Sequence, residues 1–358
     1  MLKVCIISCG MIANSAHIPA YKHFSDDFEI AAVSDINAEN AENTAKRHGI
    51  PKWYTNAEDM LDECRPDVVS VCVPNCFHKE YTMLALKYGA NVLCEKPLAF
   101  TKKDAEEMYA FAEEQGKVLM ACQSMRFTPD RLAAKRYIEE HGEDSFYYTE
   151  LSRVRRRGIP YWGAFHIKKI SGGGAFIDIG VHMLDAAIWL TGNTDVLSVS
   201  GITAKHHAEE IGDLAKSGAL TGHVDSVRKF HPEEMDVEDF SAGCVKFTNG
   251  AIMNFKVAWA TNQPEEASLK LVNKRVGINI PSGEIYSGID AVERLEEEKL
   301  DYEGHFVGHF YLVKNMRDIL ICGAQPIVKP SETIACAEII EAFYRSAELG
   351  REVFVKSK

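Results

Sequence analysis

Residues 3–13 read KVCIISCGMIA, an apolar run that stops at Ser8-Cys9-Gly10 and resumes with a helical period. A switch from continuous apolar residues to one apolar face per 3.6 residues marks a strand turning directly into a helix. Against the dinucleotide fingerprint G-x-G-x-x-G/A, Gly10 and Ala13 fill the second and third positions, and Ser8 stands at the first. Gly10 lets backbone approach a pyrophosphate at a helix N-terminus, and Ala13 permits close helix–sheet packing. Ser8 departs from the pattern and bears on the tightness of the turn. Ser8, Gly10, Met11 and Ile12 are the first candidate cofactor contacts.

Outward from this junction the alternation continues. Strand-like runs lie at 29–34, 67–73, 91–95 and 117–121, with a shorter one at Trp53-Tyr54. Helical patterns lie at 12–22, 38–48, 78–88 and 104–115. Near-continuous apolar strands suit a parallel sheet covered on both faces. Gly49, Gly89 and Gly116 follow helical patterns as left-handed stops, and Thr101-x-x-Asp104 resembles a capping box. The pattern predicts an α/β Rossmann domain, a doubly wound parallel sheet, over 1–122. A chain of 358 residues exceeds what one core serves, so 123–358 form a second domain.

Composition narrows the function. With 52 Asp+Glu against 40 Lys+Arg the net charge is −12, which gives no general attraction for nucleic acid or anionic membrane. No uninterrupted apolar stretch reaches the ~18 to 20 residues that span a bilayer. The ten cysteines are scattered without a C-x2-C pair, and Cys5, Cys72 and Cys94 sit inside apolar runs. That usage fits a reducing compartment. The apolar stretch after Lys3 is too short for a secretory h-region, so a cytoplasmic location is the expectation.

Ligands of doubly wound sheets bind at the carboxyl ends of the strands. Asp35 ends the second strand, where a carboxylate accepts from adenosine ribose hydroxyls and repels a 2′-phosphate. Its plainer role is a turn residue, but Asn37 is available as the helix cap, leaving Asp35 free. The reading favours NAD over NADP. Pro74-Asn75, with His78 beyond, ends the fourth strand, and Glu95-Lys96-Pro97 ends the fifth. Pro97 cannot continue a ladder, so the backbone turns and projects Lys96 over the sheet edge. A lone lysine there is more often solvated than catalytic.

Residues 171–190 read SGGGAFIDIGVHMLDAAIWL. From Ala175 the pattern is that of a helix apolar nearly all round, hence buried. Its polar exceptions, Asp178, His182 and Asp185, follow i, i+4, i+7 and share a stripe. An aspartate one turn before a histidine can orient the ring and raise its basicity for proton transfer. The alternatives are a self-satisfied core pair and a metal site, although no further ligand cluster supports a metal. Gly172-Gly173-Gly174 lets backbone approach another group closely.

Gly10 to Ala13, Pro74-Asn75-x-x-His78, Glu95-Lys96-Pro97 and GGG-x-x-x-Asp178-x-Gly180-x-His182-x-x-Asp185 together resemble the glucose-fructose oxidoreductase/inositol dehydrogenase/rhizopine catabolism (Gfo/Idh/MocA) family. The resemblance implies an α+β C-terminal domain with an open, mostly antiparallel sheet that often mediates oligomerisation, hence a homo-oligomer. It implies NAD(P)-dependent hydride transfer at a hydroxyl of a sugar, glycoside or cyclitol, with C3 of a pyranose as one regiochemistry. Carried over, Lys96 contacts the reacting hydroxyl, His182 accepts its proton and Asp178 orients His182. Pro74, Asn75, His78 and Glu95 line the cofactor, and Lys96-Pro97 is a cis peptide. Arg157 and Trp162, in RRRGIPYWG (155–163), border the substrate. No metal is implied. Rival readings are a myo-inositol-type dehydrogenase and a non-catalytic NAD-binding sensor.

The rest of the second domain is read from its residues. Arg153, Arg155 and Arg157 would share one face of a strand starting near Phe146, where charges are usually solvated. Asn249-Gly250 predicts a hairpin, with further strands at 269–272 and 276–280. Residues 205–235, with His206, His207, His223 and His231, read as a surface insertion. His305 and His309 could reach a substrate pocket. A closing helix runs from Ser331 or Glu332 to Leu349.

Overall fold

The computed structural model describes residues 1–160, 163–207, 231–303 and 306–356. Trp162, His223 and His305 fall outside them. The first sheet contains β1 (Leu2–Ile7), β2 (Phe28–Ser34), β3 (Lys52–Tyr54), β4 (Val68–Val71), β5 (Asn91–Cys94) and β6 (Leu119–Ala121). Its order is β3-β2-β1-β4-β5-β6, every pairing parallel. Cys5, Val69 and Leu93 are completely buried, as two-sided cover by helices requires. The strand order reverses between β1 and β4, and the crevice at that point is where a doubly wound sheet binds its ligand. Helix Ala57–Cys64, which the sequence reading passed over, fills the β3–β4 connection and is capped by Asn56.

The second sheet holds β7 (Tyr148–Val154), β8 (Val196–Ala204), β9 (Phe240–Phe247), β10 (Ile252–Ala258), β11 (Glu266–Val272), β12 (Val276–Ile280), β13 (Glu284–Ser287), β14 (Ala291–Arg294) and β15 (Val353–Phe354). Its described strands run β14-β13-β12-β11-β7-β10-β9-β8-β15, and only the β7–β10 pairing is parallel. One face packs on helices Val181–Thr191 and Pro330–Leu349. The Asn249-Gly250 hairpin forms with Gly250 at φ +87°. Helix Val307–Cys322 returns to the first domain, where Leu312, Val313 and Met316 join its core. The 168–191 run is apolar enough to be weighed as a membrane span, but 83% of its apolar window is buried inside the fold.

Two predicted α-helices open with π-turns, at Ala13–His17 and Phe176–Gly180. A π-turn replaces i→i+4 bonds by i→i+5 and rotates the side chains that precede it relative to those that follow. Both flank the crevice.

Candidate active site

The first βα turn is built despite Ser8. Its φ is +76°, the left-handed conformation for which a glycine is the usual choice. The Ser8 amide donates to Ser34 O at 2.7 Å, and Asp35 Oδ2 accepts from the Cys9 amide at 2.8 Å. A carboxylate from β2 thus braces the strained turn after β1. Asn37 caps the following helix by accepting from the Glu39 amide, as expected. Asp35 is not left free, however, because its Oδ1 also accepts from the Asn37 amide at 2.9 Å. Gly10 is exposed, and a Cβ there would meet only Ser8 Oγ, at 3.9 Å, so the protein leaves room beside it. Met11 and Ile12 follow at the half-buried helix start, whose first amides lack intrahelical partners. This arrangement fits a dinucleotide pyrophosphate.

At the end of β4, Pro74 is exposed and half-buried Asn75 donates to Ser171 O at 2.9 Å, joining the two domains just before the three-glycine run. His78 does not face the crevice. It is buried, with Nδ1 2.7 Å from Pro97 O and Nε2 3.0 Å from Val73 O, and so ties together the backbones that leave β4 and β5. Glu95 is also beneath the surface. Its Oε1 lies 2.9 Å from the Nε2 atoms of both His17 and His309, and its Oε2 accepts from the Lys96 amide at 3.2 Å. Burial pushes the Glu95 carboxyl up, but the two histidines outweigh it and hold the group well below its usual range. His309 is therefore a partner of Glu95 and not a pocket residue. His17, Glu95 and Cys122 offer ligand atoms within 4.8 Å of one another, but Glu95 is already engaged by two imidazoles. Lys96-Pro97 is cis.

Lys96 reaches the three-glycine helix, since its Nζ donates to Asp178 O at 2.8 Å and lies 3.4 Å from Asp178 Oδ1. The carboxylate's Oδ2 accepts from Trp259 Nε1 at 2.9 Å. Asp178 forms no hydrogen bond with His182, contrary to the i, i+4 reading. The π-turn at 176–180 swings Asp178 off the stripe and towards Lys96 and Trp259. His182 is half-buried, and its fully buried Nδ1 has no partner among the described residues. Burial first, then the charges of Lys96 and Arg131, hold the imidazole well below its usual pKa; Glu95 opposes them, and Arg153 adds the smallest lowering contribution. A neutral imidazole is a proton acceptor. Asp185, third on the predicted stripe, pairs instead with buried Arg126, at 2.7 and 2.5 Å.

The three glycines make this helix start possible. A Cβ on Gly174 would lie 1.9 Å from Glu238 O, and one on Gly173 would lie 2.0 Å from the Tyr344 hydroxyl. Glu238 accepts from the Gly174 and Phe176 amides at 2.9 and 3.0 Å, and so caps the helix from a distant segment. Glu238, Trp259 and Arg131 have no local signature in the sequence. Arg157 donates to Thr261 O at 3.1 Å and to Asn262 Oδ1 at 2.7 Å, linking its loop to the end of β10. Arg153, read as solvated, lies on the helix-facing side of β7 with Leu151.

The oxidoreductase family with an NAD-binding Rossmann fold matches residues 2–123, and the GFO/IDH/MocA C-terminal domain matches 134–278. D-glucoside 3-dehydrogenase of Escherichia coli is 31% identical, over 98% of this chain and 97% of its own. A scyllo-inositol 2-dehydrogenase (NADP(+)) of Bacillus subtilis is 25% identical, over 78% of this chain and 84% of its own. In fold, the chain matches a levoglucosan dehydrogenase solved with NADH and levoglucosan, with a TM-score of 0.80 at 20% identity, covering 99% of this chain and all of that one. With both domain matches in order and a relative similar along nearly its whole length, the chain belongs to the Gfo/Idh/MocA family of NAD-binding oxidoreductases.

Proposed function

We propose that this oxidoreductase transfers hydride between NAD and a secondary hydroxyl of a sugar or glycoside, with C3 of a pyranose as the reacting carbon. NAD, when bound, supplies the hydride acceptor. Ser8, Gly10, Met11 and Ile12 hold its pyrophosphate, Asp35 its ribose, and Pro74, Asn75 and the Glu95-Lys96 backbone border it. Lys96 donates a hydrogen bond to the substrate hydroxyl oxygen and stabilises the negative charge that develops there. His182 accepts the hydroxyl proton. Asp178 is a positioning residue for Lys96, and His78 and Glu95 act from below by fixing the backbone on either side of it. Arg157 and Trp162 border the substrate in this reading. The protein works as a cytoplasmic homo-oligomer.

One observation supports the reading above the others. Lys96, leaving β5, is hydrogen-bonded to residue 178, one turn before His182 and more than eighty residues away, and its charge acts on the His182 imidazole. The similarity to D-glucoside 3-dehydrogenase favours a glycoside over a cyclitol.

The test is NADH formation from simple glycosides, glucose and myo-inositol, with nucleotide extracted from denatured protein to detect NAD recycled in place. Glycosides should give NADH, or a 3-keto product, faster than myo-inositol. Bound NAD with no oxidised product from any of these would leave the sensor reading instead.

A further inference from the structure

The crevice beside His182 carries more positive charge than the reaction uses. On β7, Leu151 faces the helical core, whereas Glu150 reaches Lys270 Nζ at 2.7 Å on the opposite face. Strand alternation therefore puts Arg153 on the helix-facing side with Leu151. Arg153 is half-buried and forms no hydrogen bond or ion pair with any described residue. Arg131, in helix Pro129–Glu140, is 6% exposed. Its described hydrogen-bond partners are Met183 Sδ, at 3.0 Å, and Met125 O, and neither is anionic; Asp130 and Asp185 attract it only through space, as Glu265 does Arg153. The other buried arginine, Arg126, holds two carboxylates, Asp185 and Glu332. Arg131 and Arg153 are close enough to act electrostatically on one another and on His182.

A guanidinium stays charged at any working pH, and burying one without a counter-ion is costly. Two that converge beside a reacting centre, neither of them hydrogen-bonded to a carboxylate, form a fork for an oxyanion, which guanidinium groups bind with two parallel hydrogen bonds. Neutral sugar hydroxyls do not require such a pair. The chain's net charge of −12 makes this a local feature and not a general affinity for anions.

We propose that the sugar substrate carries an anionic group, a carboxylate or a phosphate ester, which Arg153 and Arg131 bind while His182 and Lys96 face the reacting hydroxyl. The inference rests on the sugar-oxidoreductase reading and narrows its substrate class.

The experiment compares methyl β-D-glucopyranoside, its 6-carboxylate (the methyl glucuronide) and its 6-phosphate. Each is assayed for kcat/KM and, by calorimetry, for binding to the enzyme–NADH complex, in wild type, Arg153→Met and Arg153→Lys. One of the anionic sugars should be preferred over the neutral one on the order of tenfold or more. The preference should collapse towards unity in Arg153→Met and survive in part in Arg153→Lys. The carboxylate and phosphate arms identify the group. Equal or better use of the neutral glycoside, or a preference unchanged in Arg153→Met, overturns the inference while leaving the oxidoreductase reading intact. Arg153-dependent binding of an anionic sugar with no turnover of any sugar would leave the anion site standing and remove the proposed reaction. Failure to bind any of the three overturns the inference.

Discussion

Ser8 holds a backbone conformation, φ +76°, that costs a residue with a Cβ about 1–2 kcal/mol. Its hydroxyl returns little, lying 3.5 Å from Asp35 Oδ2. Ser8→Gly should therefore stabilise the protein by up to about 1 kcal/mol, after the extra chain entropy of glycine is offset, without weakening NADH binding. Chemical denaturation and NADH titration check both parts. At His182 the prediction concerns pH. Because burial and neighbouring cations depress its pKa, the base form persists well below the unperturbed value of about 6.5. The acid limb of kcat/KM for hydroxyl oxidation should then lie below pH 6.5, with no fall between pH 8 and 7. His182→Ala should cut kcat by about 10²- to 10⁴-fold and leave the Kd for NADH nearly unchanged.

The glycine run and the π-turn behind it decide where the helix 176–191 can sit. Gly174→Ala would drive a methyl group into Glu238 O, 1.9 Å away, and neither backbone can yield cheaply. A loss of about 3 kcal/mol or more is expected, read as a lowered denaturation midpoint. This element also marks how far the sequence could be read. The strand ends, the first turn, Lys96 and the three glycines were legible because each is a change of period or a residue type that only special backbone requires. Asp178 was misassigned to His182 because a π-turn keeps the same apolar residues as an α-helix and alters only the rotation between them. Glu238 and Trp259 were invisible because their partners lie more than sixty residues away. Alternation placed Arg153 on a face, but not which face is covered or by what.

Across the whole molecule, polar junctions tie the segments around the crevice. Arg126, just after β6, joins Asp185 on helix Val181–Thr191 to Glu332 on helix Pro330–Leu349, all three buried. Breaking such a network strands two carboxylates, so Arg126→Met should cost about 3–5 kcal/mol in a melting experiment. A second junction joins His17, Glu95 and His309. Burial lowers the pKa of His17, His78 and His182 below the unfolded value, so the native state disfavours their protonation. Their contribution to stability is complete above about pH 6.5 and is lost as pH falls through their lowered folded values. A Tm that is level from pH 8 to 7 and declines below 6.5 is the expected record. His309 stands on the returning helix Val307–Cys322 and bonds Glu95, so that helix also supports the crevice.

In the proposed chemistry Lys96 and His182 act together on one hydroxyl. A double-mutant cycle on kcat/KM tests it most directly, using Lys96→Met, His182→Asn and the double variant with a glycoside that the wild type oxidises. Residues acting as a unit give strongly non-additive losses, so the double variant should be little worse than the poorer single one. Losses that multiply in full would show that the two side chains work independently and would contradict the account.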